Sequence, residues 1–440
     1  MLKRVLIISP NFPPVNAADM HRVRQSLPYF REMGWEPVVL AVDEKYVEAY
    51  STDPLLLHTI PADIEVHKVR AWDVNRTRKY GLGSLGIRSY WPLKHKGDEL
   101  LKKRKFDLVY FSTTAFHVMA LGPYWKRKFG IPFVLDIQDP WRNDFYLDKP
   151  ANERPPKFFI AYNIDKYLEA RTVPRADGII SVSQGYCDVF EQRYPSLRKE
   201  QFRVIPFGAA GLDFEVIDRM GITQPFVQLP AGKINIVYIG RGGHDMRFAL
   251  EIIFGALQKG LQTEPELFSR MHFWFIGTSY APAGQGQQTI LPIARKYDVD
   301  GQVMEIPDRI PYFDTLSLLK KADLLLVPGS TDTSYTASKI YPYILAERPL
   351  LAVFHRNSSV VKVLNDVGMG QTVIFDNNGE DTTGYIHECL AALRTLSQLP
   401  KGDTVFNRQA FEPYTAKART IEQVDFFNQV TTLSGRGAPE

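Results

Sequence analysis

The sequence predicts an α/β protein built from two doubly wound, Rossmann-like parallel sheets, and three observations carry that expectation. The chain of 440 residues is too long for one ordinary core. Short apolar, β-branched runs alternate with stretches of helical length, as βαβ units do. The alternation occurs twice, on either side of a Gly- and Pro-containing segment at 207–232 that lacks sustained periodicity.

In the first half, strands are expected at 4–9, 37–42, 65–69, 108–111, 133–137, 178–182 and 203–205, with the clearest helices at 18–33 and 116–129. In the second half they are expected at 235–239, 272–276, 303–305, 324–327, 350–354 and 372–375. The organisation that follows is a first domain at 1–206, a linker at 207–232, a second domain at 233–412, and a terminal stretch at 413–440. That stretch holds an amphipathic helix at about 415–430, expected to return to the first domain, and a flexible tail after Leu433. Sheets of this kind bind ligands where strands end and helix amides are free, so two of them facing each other make a cleft.

Composition excludes several classes. A net charge of +4 is too small for a dedicated nucleic-acid binder. Two distant cysteines, Cys187 and Cys389, make neither a disulfide framework nor a thiolate metal site. The apolar run before Pro10 is too short for a signal segment, and every other run is strand-length, so the expected location is the cytoplasm, or the inner face of the cell membrane as a peripheral protein. One stretch, 68–105, carries twelve Lys or Arg against three acids, with Trp72, Tyr80, Tyr90 and Trp91 interleaved. It reads either as a solvated face with packed rings or as a contact for an anionic membrane surface.

The residues that bear chemistry lie at strand ends. After 234–239 come Gly240, Arg241, Gly242 and Gly243, then a helix from about Asp245. Such a turn admits a phosphate to the backbone, and Arg241 and Arg247 supply forked cations for a diphosphate; the alternative is a tight turn with two surface arginines. After 324–327, the segment 330–349 offers Ser334, Thr336, Ser338 and Lys339 at a helix start, suited to cap amides or to hold a phosphate. Asp139 and Trp141 follow the strand 133–137, and His117 follows 108–111; a carboxylate or imidazole there can orient an acceptor hydroxyl or take its proton. Neither first turn reads G-x-G-x-x-G, and Walker A, H-E-x-x-H and G-x-S-x-G patterns are missing, so no metal site or cofactor is expected.

The run 337–349 resembles the P-S-K-[LIF]-[FY]-E-Y…P segment of retaining GT-B glycosyltransferases of the large bacterial family-4-like group, with Ser338, Lys339, Ile340, Tyr341, Tyr343 and Pro349 on its positions. Collinear likenesses stand at VLIISPNFPPV with the helix ending GWEPVV, at FDLVYFSTTAFH, at IPFVLDIQDPW, at ADGIISVSQGY and at VIPFG.

The resemblance implies the GT-B fold and transfer of a sugar from a nucleotide-sugar such as a UDP- or GDP-sugar to a polysaccharide, lipid-linked or other surface-glycan acceptor, with retention and without metal. It implies that Arg241, with Arg247 or Lys339, neutralises the leaving diphosphate. It also implies that Asn16, Ala17 and Ala18 stand where relatives carry paired glycines near the donor. His21, Arg22 and Arg24 open the first helix, where one of them is a candidate to face an anionic acceptor and at least two are expected in solvent. The family's two glutamates are replaced by Ser334 and Pro342. A proline cannot bond a ribose hydroxyl, so that contact comes from elsewhere, with Asp332 a candidate, or is absent. A catalytically weakened sugar-nucleotide-binding or regulatory protein, or a GT-B epimerase, is the alternative.

Overall fold

A computed structural model describes residues 2–48, 50–80, 82–155, 158–331, 340–376, 382–399, 404 and 406–435. The chain divides into two compact units, 1–208 with 416–440, and 209–415.

The first unit holds seven parallel strands: β1 Lys3–Ile8, β2 Trp35–Val42, β3 Glu65–Val69, β4 Leu108–Ser112, β5 Phe133–Ile137, β6 Gly178–Ser181 and β7 Phe202–Val204, in the order β3-β2-β1-β4-β5-β6-β7. Its central strands are continuous apolar runs because helices cover both faces, and Val5 to Ile8 have no exposed surface. The order reverses between β1 and β4, so a crevice opens at their carboxyl ends.

The second unit holds six parallel strands: β8 Ile234–Ile239, β9 Met271–Ile276, β10 Val303–Ile306, β11 Leu324–Pro328, β12 Leu350–His355 and β13 Gln371–Phe375, ordered β10-β9-β8-β11-β12-β13. Here the switch falls between β8 and β11. Every expected strand is present, with ends displaced by at most two residues.

Helices depart further from expectation. The predicted helix at 18–33 is Met20–Ser26 followed by a turn and the short 3-10 segment Arg31–Met33, because Pro28 has no N–H to continue the ladder. The one expected at 116–129 begins as 3-10 turn Phe116–Ala120 and becomes α-helical at Leu121–Phe129, stopping at Gly130, whose φ of 70° is left-handed. The stretch read as linker contains a helix, Gly211–Met220, which buries Phe214, Val216 and Ile217. The basic stretch folds largely into the helix Leu85–Lys103, where Gly97 leaves room for Trp125: a Cβ there would meet the ring at 2.2 Å.

The last helix, Ala416–Gly435, extends past Leu433 and finishes the core of the first unit. Phe427 stacks on Phe30 at 6.2 Å and meets Trp35 and Tyr110 edge-on at 5.6 and 5.0 Å. At Gly178 a side chain would strike Phe426 at 2.7 Å.

Candidate functional site

The carboxyl edge of the first sheet is organised by buried charge. Asp19, 2% exposed, accepts from the Asn11 amide at 3.0 and 3.1 Å, from the Thr113 hydroxyl at 3.1 Å and from the Thr114 N–H at 2.9 Å, which joins the ends of β1 and β4. Asp136, on β5, pairs with the Arg22 guanidinium at 2.9 Å and accepts from Ser112 and Gln138, each at 2.7 Å. Arg22 also donates to the Ile205 carbonyl at 2.6 Å and lies 4.9 Å from the Phe207 ring centroid.

Solvent exposure of two of the three basic residues of the first helix is therefore corrected. Arg22 is 4% exposed, and Arg24 is fully buried, donating to Thr59 at 2.8 Å and sitting 3.0 Å from His21 Nδ1. The loop before them is also better explained by packing. Ala17 belongs to the core, the Asn16 N–H donates to the Ser51 carbonyl at 2.8 Å, and Ala18 alone of the three is exposed.

Beside this network lies a cavity of about 560 Å³ lined by Asn11, Glu48, Tyr50, Thr114, His117 and Asp165 among others. His117 lies in the first turn of the 3-10 segment after β4, with Nε2 3.4 Å from Asp165 Oδ1. Burial lowers the His117 imidazole below its ordinary value and so keeps it neutral at pH 7. Burial, reinforced by the Glu169 charge and opposed by the Trp141 ring N–H, pushes Asp165 up to about 6. Asp139, just beyond β5, is exposed as a residue and does not line the cavity, yet partial desolvation and then the Asp19 charge raise its carboxyl. Asp165 was not singled out by sequence reasoning, since its helix, Phe158–Thr172, lies far along the chain from β4.

A pH consequence follows. An acid whose folded value lies above its unfolded one holds its proton longer in the native state, so stability declines as pH rises from about 4 through about 6 and is level beyond. Asp165→Asn is expected to flatten that slope in denaturation midpoints taken between pH 4 and 7. An unchanged slope would remove the carboxyl from consideration.

In the second unit, the loop after β8 is tied to the end of β9. The Gly240 and Gly242 N–H groups donate to the Ile276 and Thr278 carbonyls at 2.9 and 2.7 Å. A Cβ on Gly242 would meet Thr289 Oγ1 at 2.5 Å and Thr278 Cβ at 3.2 Å, so close packing favours glycine there, whereas one on Gly243 would meet only the movable ends of the Arg241 and Asp245 side chains within 3 Å. Arg241 makes a forked pair with Asp245 at 2.9 and 2.6 Å, and that cation, with a smaller share from Ser330, holds the Asp245 carboxyl down at about 2. Arg247, at the start of the helix Arg247–Thr263, pairs with Glu251 at 2.7 Å. Both cations expected at a diphosphate thus already carry a carboxylate.

Asp332, Ser334, Thr336, Ser338 and Lys339 lie outside the described residues. Beyond them, the helix Ile340–Leu345 carries Tyr343 inward, where its hydroxyl receives the Ile239 N–H at 2.8 Å and so fastens this helix to β8.

The basic stretch at 68–105 is less cationic than its composition suggests. Lys68 pairs with Glu44, Arg88 with Glu48, Arg104 with Glu65, and Lys94 with Asp98. Three of those carboxylates lie outside the stretch or opposite it in the sheet, and a count along the sequence misses them. Among the described residues no group of three or more His, Cys, Asp or Glu is arranged to hold a metal ion, and no helix is long and apolar enough to cross a membrane.

Residues 21–209 match the model of Glycosyltransferase Family 4. Among curated proteins none is matched by this chain. Solved structures similar to it include an alpha,alpha-trehalose-phosphate synthase (UDP-forming) from Burkholderia vietnamiensis, 12% identical, with a TM-score of 0.58 over 98% of this chain and 100% of that one. The Burkholderia multivorans alpha,alpha-trehalose 6-phosphate synthase is 10% identical, with a TM-score of 0.58 over the whole of both chains. A UDP-forming synthase from Burkholderia xenovorans in complex with glucose-6-phosphate is 11% identical, with a TM-score of 0.55 over 96% of this chain and all of that one. The matched segment and the shared GT-B fold of two parallel α/β sheets support a glycosyltransferase.

Proposed function

We propose that this chain moves a sugar from a nucleotide-sugar donor to a hydroxyl of a surface glycan, polysaccharide or lipid-linked acceptor, with retention and without a metal, the first unit binding the acceptor and the second the donor. The cavity at the β1 and β4 ends carries this reading. It sets a neutral imidazole beside a carboxyl of raised pKa at the carboxyl edge of the unit that matches the family. With Asp165 ionised at pH 7, His117 Nε2 carries the ring proton and Nδ1 is left to accept one from an acceptor hydroxyl. Asp139, raised as well, is the second candidate for that proton. In the second unit, the leaving diphosphate would take over the Arg241 guanidinium from Asp245, a carboxylate that occupies the fork meanwhile.

The experiment is incubation with UDP-, GDP- and ADP-sugars, beginning with UDP because the trehalose-phosphate synthases of like fold are UDP-forming. Slow release of free nucleotide from one donor is the expected outcome. A second reading, a binding protein without turnover, is favoured by the carboxylates on Arg241 and Arg247 and by Pro342 at the glutamate position. Thermal stabilisation by a donor with no nucleotide release, even with acceptor extracts present, would establish it and end the transfer reading.

A further inference from the structure

The helix Phe158–Thr172 carries several large apolar side chains on its solvent side. Its acids turn inward: Glu169 is fully buried and accepts from Arg193 at 3.1 Å and Tyr194 at 2.8 Å, while Asp165 lines the cavity. Four of its apolar side chains turn out, Phe159, Ile160, Ile164 and Tyr167 at 52, 64, 40 and 55% exposure, while Leu168 packs on the core. At 100° per residue these four span an arc of about 140°. Folding cannot have selected that stripe, because leaving it in water forfeits the burial that normally stabilises a surface helix.

The stripe is continued by the preceding loop. Phe145 is 63% exposed, and rings run from it without a break, Phe145 to Tyr146 at 5.2 Å, Tyr146 to Phe158 at 5.8 Å and Phe158 to Phe159 at 5.3 Å. Arg154 binds loop to helix, donating to the Tyr146 and Leu147 carbonyls at 3.0 and 2.7 Å while lying 4.9 Å from the Phe159 centroid. Lys149 stands 5.0 Å from the Phe145 centroid and Arg171 4.6 Å from that of Tyr167. Each of the three most exposed rings of this face thus has a cation on it. Exposed rings and aliphatic chains with cations set among them match a boundary where acyl chains meet anionic headgroups.

We propose that this face docks on an anionic lipid bilayer, with Phe145, Phe159, Ile160 and Tyr167 reaching the acyl boundary and Lys149 and Arg171 meeting headgroup phosphates. It is distinct from the basic stretch at 68–105, six of whose twelve cations pair with carboxylates. It also does not depend on sugar transfer, so a failure of either claim leaves the other to be judged alone.

The test is sedimentation of the full chain with phosphatidylglycerol–phosphatidylcholine vesicles and with phosphatidylcholine vesicles alone. Binding to the anionic vesicles is expected, weakened at least about tenfold in Phe159→Ser/Ile160→Ser and in the milder Ile160→Ser/Tyr167→Ser. Lys149→Gln/Arg171→Gln is expected to weaken it about fivefold per cation. Lys79→Gln/Lys102→Gln/Lys105→Gln, in the basic stretch, is expected to bind as the parent does. Unchanged melting curves are expected for all of these, since the altered side chains point outward. The proposal fails if the parent does not sediment with anionic vesicles, if both apolar variants sediment as it does, or if only the 68–105 variant loses binding. It fails equally if the parent self-associates in the ultracentrifuge and the apolar variants do not, which would assign the face to a second copy of the chain.

Discussion

Asp136→Ala is expected to cost about 3–5 kcal/mol of folding free energy, because it strands the Arg22 guanidinium, 4% exposed, without its carboxylate. Ser112 and Gln138 would lose their shared acceptor in the same step. Five of the six tryptophans, Trp35, Trp72, Trp91, Trp125 and Trp141, lie in the first unit, so a urea titration followed by fluorescence reports mainly on it. The paired replacement Arg22→Met/Asp136→Leu is expected to cost much less, since no charge is then left without a counterpart. Equal losses for the single and double variants would show that shape at this position matters and the charges do not.

Arg241→Ala is expected to lower turnover about a hundredfold or more, with a much smaller change in KM for the donor, if the guanidinium answers the charge that grows on the leaving diphosphate. The structure supplies a discriminating partner. Removing Arg241 also deprives Asp245 of the cation that holds its carboxyl near 2, so the loop after β8 loses a strut as well as a charge. Asp245→Asn keeps the loop's shape and frees the fork, and it should retain much of the parental rate. Should both variants fall together, in step with lost thermal stability, Arg241 is a brace of the loop and the diphosphate is met by other groups.

Most strands were legible because they are apolar runs of strand length; β3, EVHKV, is instead a partly polar edge strand, yet it and β5 begin and end where the sequence places them. Helices were less so. The helix Leu85–Lys103 is hidden in a stretch where charge dominates the periodicity, and Gly211–Met220 is hidden between glycines and prolines.

The site shows the same division. His117, Asp139 and the glycine loop follow strands, and position after a strand is a local property that a sequence displays. Asp165 reaches His117 from a helix 48 positions later, and Arg22 reaches Asp136 from 114 positions earlier; no local pattern marks such meetings. Asp19 and Asp136 look like ordinary acids until the fold surrounds them with donors. The pairing of Arg241 with Asp245 was readable in principle, being a four-residue spacing at a helix start, and that spacing bears on its availability to a phosphate.

The position of the final helix has a consequence for biosynthesis. Phe426, Phe427 and Val430 fill a gap among Phe30, Trp35, Tyr110 and Gly178, all of which leave the ribosome more than two hundred residues sooner. While residues 209–415 are being translated, the nascent first sheet waits with an oily slot open, and only the arrival of residues 416–435 seals it.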